Sequence, residues 1–480
     1  ASSVMMRIKA VTRSLHSKIT IDMKKNTGKP EPLFLNDANM CISTDLYQLT
    51  MVAGYFERGM DHKSTFELFV RNLPERRSYL IAAGLEQAIH YLKNLRFTAE
   101  YLKYLKDLPV FKNVSRELFD YLREFYFSGD VYAVPEGTVI FANEPIIRVT
   151  ASMIEAQIIE TYLLSMINYQ TLIASKASRV VHAADGRGVI DFGTRRAHGP
   201  HAGLLAARAC FIGGCVGTSN VLAAYELGIP PIGTVAHSWV MAYDDEYESF
   251  KDFHTVFPDN TVLLIDTYDT IKGAQLATKM GKKLKGVRLD SGNITLLSKK
   301  VRKILDNAGL EQVKITASGD LNEHKISQML AKGACIDSFG VGTEMVTSKD
   351  TPALGGVYKL VEQEREGRLV PKMKFSKDKV TCPSKKQVYR FLDKKGIFKK
   401  DTIGLVDEEF DAEELLQPVM KKGKLVYKIP TVQQIQKTAE RNISQLPDKF
   451  KDLDCKIAYP VTLSKRLRQV RDNTRNNRNA

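Results

Sequence analysis

The sequence has no paired-cysteine motif of the CxxC kind. Its six cysteines (Cys41, Cys210, Cys215, Cys335, Cys382 and Cys455) are scattered along 480 residues. That spacing excludes a zinc ribbon or a disulfide framework and suits small buried hydrophobes in a reducing compartment. No uninterrupted apolar run approaches the roughly 20 residues needed to span a bilayer, and no apolar signal-peptide core is present. Both absences point to the cytoplasm. Tryptophan occurs once, at Trp239, and the two basic ends contain no aromatic residue on which a base could stack.

The charge is uneven. The chain carries a net +15, of which residues 1–30 contribute +6 and residues 464–480 contribute +5, leaving +4 for everything between. Nucleic-acid binding is therefore an unfavoured reading, because the excess sits in low-complexity ends expected to be flexible. The stretch "RIKAVTRSLHSKIT" is basic, rich in Ser and Thr, and free of acids until Asp22. It fits an organelle transit peptide and a flexible extension equally well.

Between the ends, 44% hydrophobic and 26% charged residues describe an ordinary globular protein with a large core. Five segments are expected: a basic N-terminal segment (1–35), an α+β domain (36–150), an α/β barrel (151–360), a charged region packing on both (361–463) and a basic flexible tail (464–480). In the first domain, "STDLYQLTMVAGYFERG" reads as a helix capped by Ser43 or Thr44, and "KSTFELFVRNLP" as a strand. From Ser152 a long amphipathic pattern marks a major helix or helix pair. Then six strand-like runs follow, mostly separated by helical stretches: "GVIDFGTRRAHGP", "PIGTVAHS", "NTVLLIDTYD", "GVRLDSGN", "VKITASGD" and "IDSFGVGTEM".

Alternating strands and helices argue for a parallel sheet covered by helices. Polar residues at successive strand ends argue for its closure into an irregular TIM-like barrel, with the active site at those ends. A doubly wound open sheet would bring the same residues together, and pattern alone leaves that choice open. A lone histidine is ordinarily a core or cap residue. His237 differs because it ends one of these runs, facing the cavity expected to hold Arg195, Asp266, Asp290, Asp320 and Thr343.

Three chemical parts are present. Gly340, Gly342 and Thr343 offer backbone N–H groups and a hydroxyl to a phosphate. Arg71, Arg195, Arg196 and Arg288 match phosphate and carboxylate oxygens in planar geometry. Asp290 and Asp320 suit sugar hydroxyls, Mg2+ or a developing positive charge. Together they describe phosphoribosyl transfer, and His237 adds a nucleophile able to accept a phosphoryl group.

At these residues the chain resembles the nicotinate phosphoribosyltransferases, in a family that includes the nicotinamide and quinolinate enzymes. The likeness runs from about Ser43 to Arg390 through "STDLYQLTMVAGYFERG", "DFGTRRAHGP", "GTSNVLAAYELGIPPIGTVAHSWV", "GVRLDSG", "ASGDLNE" and "FGVGTEMVTSKDTPALGGVYKLVE". It implies that ATP phosphorylates His237 and so drives formation of nicotinate mononucleotide and pyrophosphate from nicotinate and phosphoribosyl pyrophosphate. It also implies that Phe192 stacks on the pyridine ring and that Tyr47, accompanied by Asp45, closes the other face from a second subunit of a homodimer. Arg195 would hold anionic substrate groups. Arg71, Arg288, Asp290, Gly319, Asp320, Gly340, Gly342 and Thr343 would contact phosphoribosyl pyrophosphate, with Lys349, Lys359 and Lys377 as looser candidates. Nicotinamide-using relatives carry aspartate where this chain has Ser219. An aspartate would repel a carboxylate, so serine favours nicotinate, although a helix cap would also explain it. Two departures stand out: Asn293 in "LDSGN", where the family is usually acidic, and Ser384 in "TCPSKK", where glycine is usual.

Overall fold

The computed structural model describes residues 34–376, 379–455 and 457–479. Lys377 and nearly all of the basic N-terminal segment lie outside them.

The described residues begin their regular structure with helix α1 (Leu46–Glu57) and strand β1 (Lys63–Val70). The N-cap of α1 is Asp45, neither Ser43 nor Thr44, and no side chain closes the first turn. The Asp45 carboxylate is engaged elsewhere, accepting from the Thr161 hydroxyl at 2.8 Å. After helix α2 (Leu85–Asn94) come strands β2 (Asp130–Ala133) and β3 (Pro145–Ser152). The long amphipathic stretch forms a pair, a short helix (Met153–Ile158) and then α3 (Glu160–Ala183). Gln170 to Val180 of α3 are all buried, so this helix is wrapped by protein on every side.

The α/β unit then runs as β4 (Gly188–Asp191), helix α4 (Pro200–Ile212), β5 (Gly217–Thr218), helix α5 (Val221–Leu227), helix α6 (His237–Met241), β6 (Val262–Leu264) and β7 (Gly286–Leu289). It continues through helix α7 (Ile294–Asn307), β8 (Lys314–Ala317), helix α8 (Glu323–Ala331), β9 (Ser338–Val341) and helix α9 (Thr343–Val346). The six strands pair in the order β5-β4-β9-β8-β7-β6, and every pairing is parallel.

Two expectations are corrected here. "PIGTVAHS" does not form a strand; only an isolated bridge joins Pro231 to Thr218. Pro230 and Pro231 lack the N–H groups that a ladder needs. Gly217–Thr218, which is not among the six strand-like runs, supplies the strand beside β4. Among the described residues no ladder joins the Pro231 segment to β6, so the hydrogen-bonded sheet is open at that point.

The antiparallel sheet redraws the domain borders. Strand β10 (Gly356–Arg365) pairs with β1, crossing the boundary expected at residue 360, and β11 (Arg368–Pro371) pairs with β10. On the opposite edge β12 (Gln417–Lys421) pairs with β2. The C-terminal region is thus woven into the N-terminal sheet. The reason is visible in β1, where seven of eight residues are buried and both edges need partners. The expected flexible tail is also corrected. Residues 465–479 form a helix, anchored by the fully buried Leu467 and by Arg466 on Asp407 at 2.8 Å.

Ser384 has φ +64°, the left-handed region in which a side chain costs energy. This is a physical reason for glycine at that position. Ser384→Gly should raise stability by about 1 kcal/mol, read as an increase in the thermal midpoint. A lower midpoint would show that the serine side chain contributes more than the strain it imposes.

Candidate functional site

The carboxyl ends of β6, β7 and β8 converge on one cleft. Asp290, directly after β7, donates its backbone N–H to Asp266 Oδ2 at 2.8 Å, and the Ser291 hydroxyl donates to the same oxygen at 2.8 Å. The Ser318 hydroxyl donates to Asp290 Oδ1. His237 begins α6, with Nε2 3.8 Å from Asp290 Oδ2 and Nδ1 3.1 Å from Thr267 Oγ1. If Nδ1 carries the proton and gives it to Thr267, Nε2 presents its lone pair to the cleft. Both side chains are partly open, 39% for His237 and 34% for Asp290. The imidazole is therefore reachable, which a packed core histidine would not be.

Arg288 donates to the Val235 carbonyl at 3.0 Å, tying β7 to the segment before His237 across the opening in the sheet. Burial lowers the guanidinium from its ordinary value and nearby Arg195 acts in the same direction, while Asp290 and Asp266 oppose them. Arg195 itself is exposed in a single 3-10 turn with Arg196. Gly319 is required twice over: its φ is +105°, and a Cβ there would lie 2.5 Å from the Asp290 carbonyl oxygen.

A second group assembles around β4 and β9. The Phe192 N–H donates to the Val341 carbonyl at 2.9 Å. Its ring lies over Gly340, where a Cβ would fall 2.3 Å from ring carbon Cδ2. At Gly342 a Cβ would meet the Phe192 carbonyl oxygen at 3.1 Å. Buried Asp191 organises this region, accepting from the Gly193 N–H at 2.8 Å and the Thr218 hydroxyl at 2.7 Å. Its carbonyl also accepts from the Ser219 N–H at 2.8 Å. Burial pushes the Asp191 carboxyl up, and the Thr218 and Gly193 hydrogen bonds oppose that. Ser219 is exposed and is not the helix cap; Asn220 holds that place, accepting from the Ala223 N–H at 2.9 Å. The alternative reading of Ser219 as a cap therefore falls.

The remaining residues lie elsewhere. Tyr47, 49% exposed, sits with Tyr55, Glu160, Tyr358 and Lys359 around a cavity of about 290 Å³ beside the antiparallel sheet. Burial raises the Tyr47 phenol, and Glu160 and Asp45 add to it. Lys359 lies 3.9 Å from Glu160, and burial lowers its ammonium, with Arg71 and Lys374 acting the same way against Glu160. Arg71 therefore belongs with this second cluster. Lys349 pairs with Glu344 at 3.3 Å, and Thr343 opens the four-residue α9. Asn293 caps α7, its side chain accepting from the Leu296 N–H at 3.1 Å, a role that aspartate would fill equally.

Asp191, Thr267 and Ser318 were not singled out from the sequence. Each is a polar residue at or just after a strand end, and position alone does not separate an organiser from a turn residue. For a metal, Asp266 and Asp290 are the fitting donors. Asp266 Oδ1 is buried without a hydrogen-bond partner, and carboxylate oxygens suit magnesium. Among the described residues no group of three or more His, Cys, Asp or Glu is placed to hold a metal unaided, so such an ion would share substrate phosphates.

Three family models match in order along the chain: the nicotinate phosphoribosyltransferase N-terminal domain over residues 42–168, the family domain over 188–413 and the C-terminal domain over 408–471. The chain is 45% identical to nicotinate phosphoribosyltransferase pncB2 of Mycobacterium tuberculosis over 88% of its length and 91% of the relative. It belongs to the nicotinate phosphoribosyltransferase family. A Bacillus subtilis nicotinate phosphoribosyltransferase is 41% identical, over 89% of this chain and 94% of that one. Among solved structures, human nicotinic acid phosphoribosyltransferase matches at TM-score 0.79 and 26% identity, covering 90% and 99% of the two chains. The nicotinate phosphoribosyltransferase C-terminal model reaches residue 471, so it takes in the start of the helix that replaces the expected flexible tail.

Proposed function

We propose that the chain transfers the phosphoribosyl group of phosphoribosyl pyrophosphate to nicotinate in NAD salvage, coupled to ATP through His237. The observation that carries this reading is the approach of His237, Asp290 and Arg288, three residues distant in sequence, to one cleft. In the transfer, the ring nitrogen lone pair of nicotinate forms a bond to the anomeric carbon. The bond from that carbon to the pyrophosphate oxygen breaks, and pyrophosphate leaves with the electron pair. No protein group needs to move a proton, so catalysis is positioning and electrostatics.

Phe192 offers its face to the pyridine ring, Arg195 and Arg288 meet anionic oxygens, and Asp290 and Asp320 meet ribose hydroxyls. Backbone N–H groups around Gly342 and Thr343 receive phosphate. A magnesium ion held by Asp266 and Asp290 would screen the charge of the pyrophosphate. In the ATP step, His237 Nε2 bonds to the γ-phosphorus while the bond to the ADP oxygen breaks. The phosphorylated and free states then differ in affinity for substrate and product, which is how the energy is transmitted.

Three finer readings accompany this one. The parallel order β5-β4-β9-β8-β7-β6, with the Pro231 segment bridged to β5, supports an irregular barrel left open between that segment and β6. The separation of Tyr47 from Phe192 supports a homodimer whose sites take Tyr47 from a second subunit. Among the described residues no helix is long and apolar enough to cross a membrane, in keeping with a cytoplasmic enzyme. The nucleic-acid reading is not favoured, since family models and relatives alike are transferases.

The test is to supply nicotinate or nicotinamide with phosphoribosyl pyrophosphate, with and without ATP. Ser219 should give nicotinate about a 100-fold advantage in kcat/KM, the scale at which a charge or hydrogen-bond mismatch discriminates. A preference for the amide would overturn the substrate assignment.

A further inference from the structure

Five charged side chains form one ion-pair cluster, four of them buried and the fifth, Asp350, at its partly exposed edge. Lys176 and Arg179 stand one turn apart on α3, with side chains 1% and 4% exposed. Lys176 Nζ is 2.7 Å from Glu323 Oε2 and 2.8 Å from Asp350 Oδ1. Arg179 Nε donates to Glu323 Oε1 at 3.2 Å, and its other nitrogens donate to the Arg76 and Leu453 carbonyls at 2.8 Å each. Arg77, whose side chain is fully buried, donates to both Asp350 oxygens at 3.1 Å and to the Ser348 hydroxyl.

The sequence addresses of these groups are informative. Glu323 opens α8, three residues after Asp320. Asp350 lies seven residues after Thr343, and Ser348 between them holds a left-handed backbone, φ +44°. Arg77 lies six residues after Arg71. The segments that carry Asp320, Thr343 and Arg71 each run into one member of the cluster, and α3 supplies the two cations that join them. Three buried cations against two carboxylates leave no spare anion, so losing either carboxylate leaves positive charges facing one another in a poorly solvated space.

We propose that the Lys176–Glu323–Asp350–Arg77 cluster is a positioning device that sets the spacing of the loops binding phosphoribosyl pyrophosphate. It rests on the transferase reading given above. Neither carboxylate touches substrate; each acts through the loop it holds. The effect should fall mainly on phosphoribosyl pyrophosphate, because Asp191 gives the Phe192 and Ser219 surface hydrogen bonds of its own, through Gly193, Thr218 and Ser219.

The experiment measures both KM values and kcat for wild type, Glu323→Gln, Asp350→Asn and Asp350→Glu, each checked for folding by thermal melting. Glu323→Gln and Asp350→Asn should raise KM for phosphoribosyl pyrophosphate about 10-fold or more, with KM for nicotinate changed less than about twofold. Asp350→Glu, which keeps the charge, should recover most of the loss. A purely structural role would instead lower the melting midpoint and the active fraction, reducing kcat while KM stays fixed. That outcome in Asp350→Asn, the milder variant at a 38% exposed carboxylate, would overturn the proposal even if Glu323→Gln fails to fold. Wild-type enzyme that makes no mononucleotide would instead overturn the transferase reading, so the two failures are distinct.

Discussion

Replacing His237 with alanine should abolish incorporation of labelled γ-phosphate into the protein and remove all stimulation by ATP, while a slower ATP-independent synthesis of mononucleotide persists. The geometry separates the two functions. His237 Nε2 is 3.8 Å from Asp290 Oδ2 and its other nitrogen is 3.1 Å from Thr267 Oγ1, so the partly exposed ring is oriented at the rim of the cleft. Its removal deletes a nucleophile and leaves the Asp266–Asp290–Ser318 chain of hydrogen bonds in place. Coupling between sites is ordinarily worth about 1–3 kcal/mol, and kcat/KM with ATP should therefore fall 5- to 150-fold, to the value seen without ATP. Thr267→Val should give a milder form of the same defect, since the imidazole keeps its place but loses the hydroxyl paired with Nδ1. Label remaining on the alanine variant would move the acceptor to another residue.

Gly340→Ala should be a costly single methyl addition in the site, because the atoms it meets belong to the Phe192 ring. The added carbon would lie 2.3 and 2.4 Å from two carbons of the Phe192 ring, well inside van der Waals contact. The ring is only partly buried and is free to swing outward, so the protein should fold with a loss of about 1–3 kcal/mol. The swing moves the stacking surface by more than an ångström, a displacement that typically reduces turnover about 100-fold. Measuring kcat/KM for Gly340→Ala, Phe192→Ala and the double variant isolates the cause. If the glycine acts only through the ring, the double variant should be no worse than Phe192→Ala alone. Additive losses would mean that Gly340 serves substrate by another route, such as backbone approach to phosphate.

Much of this site was legible in the sequence because its chemistry is carried by residue types with few other reasons to sit at strand ends. Arg288, Asp290, Gly319 and His237 fall where the polar termini of short apolar runs were expected, and the structure brings His237, Arg288 and Asp290 together. Gly340 was legible as a glycine but not as the floor beneath Phe192, since that depends on two strands placed side by side. Asp191 escaped notice because its work is done by hydrogen bonds across loops, and a single sequence does not reveal pairings at a separation of 27 residues such as Asp191 with Thr218. The open side of the parallel sheet was misjudged for a local reason, an apolar run read as a strand despite two leading prolines. The C-terminal helix was misjudged because Leu467 is one apolar residue among many charges, and one well-seated leucine suffices to anchor a helix end.

Each of β1 and β2 pairs on one side with β3 and on the other with a strand far ahead in the chain. During synthesis the ribosome must deliver β10, near residue 360, and β12, near residue 420, before the two flanks of that sheet acquire neighbours. Nascent chains shorter than this display bare strand edges, a state prone to sticking to its own kind. Completion of this sheet should therefore wait on delivery of β12 and on chaperones that shield those edges, however early the strands of the parallel sheet emerge.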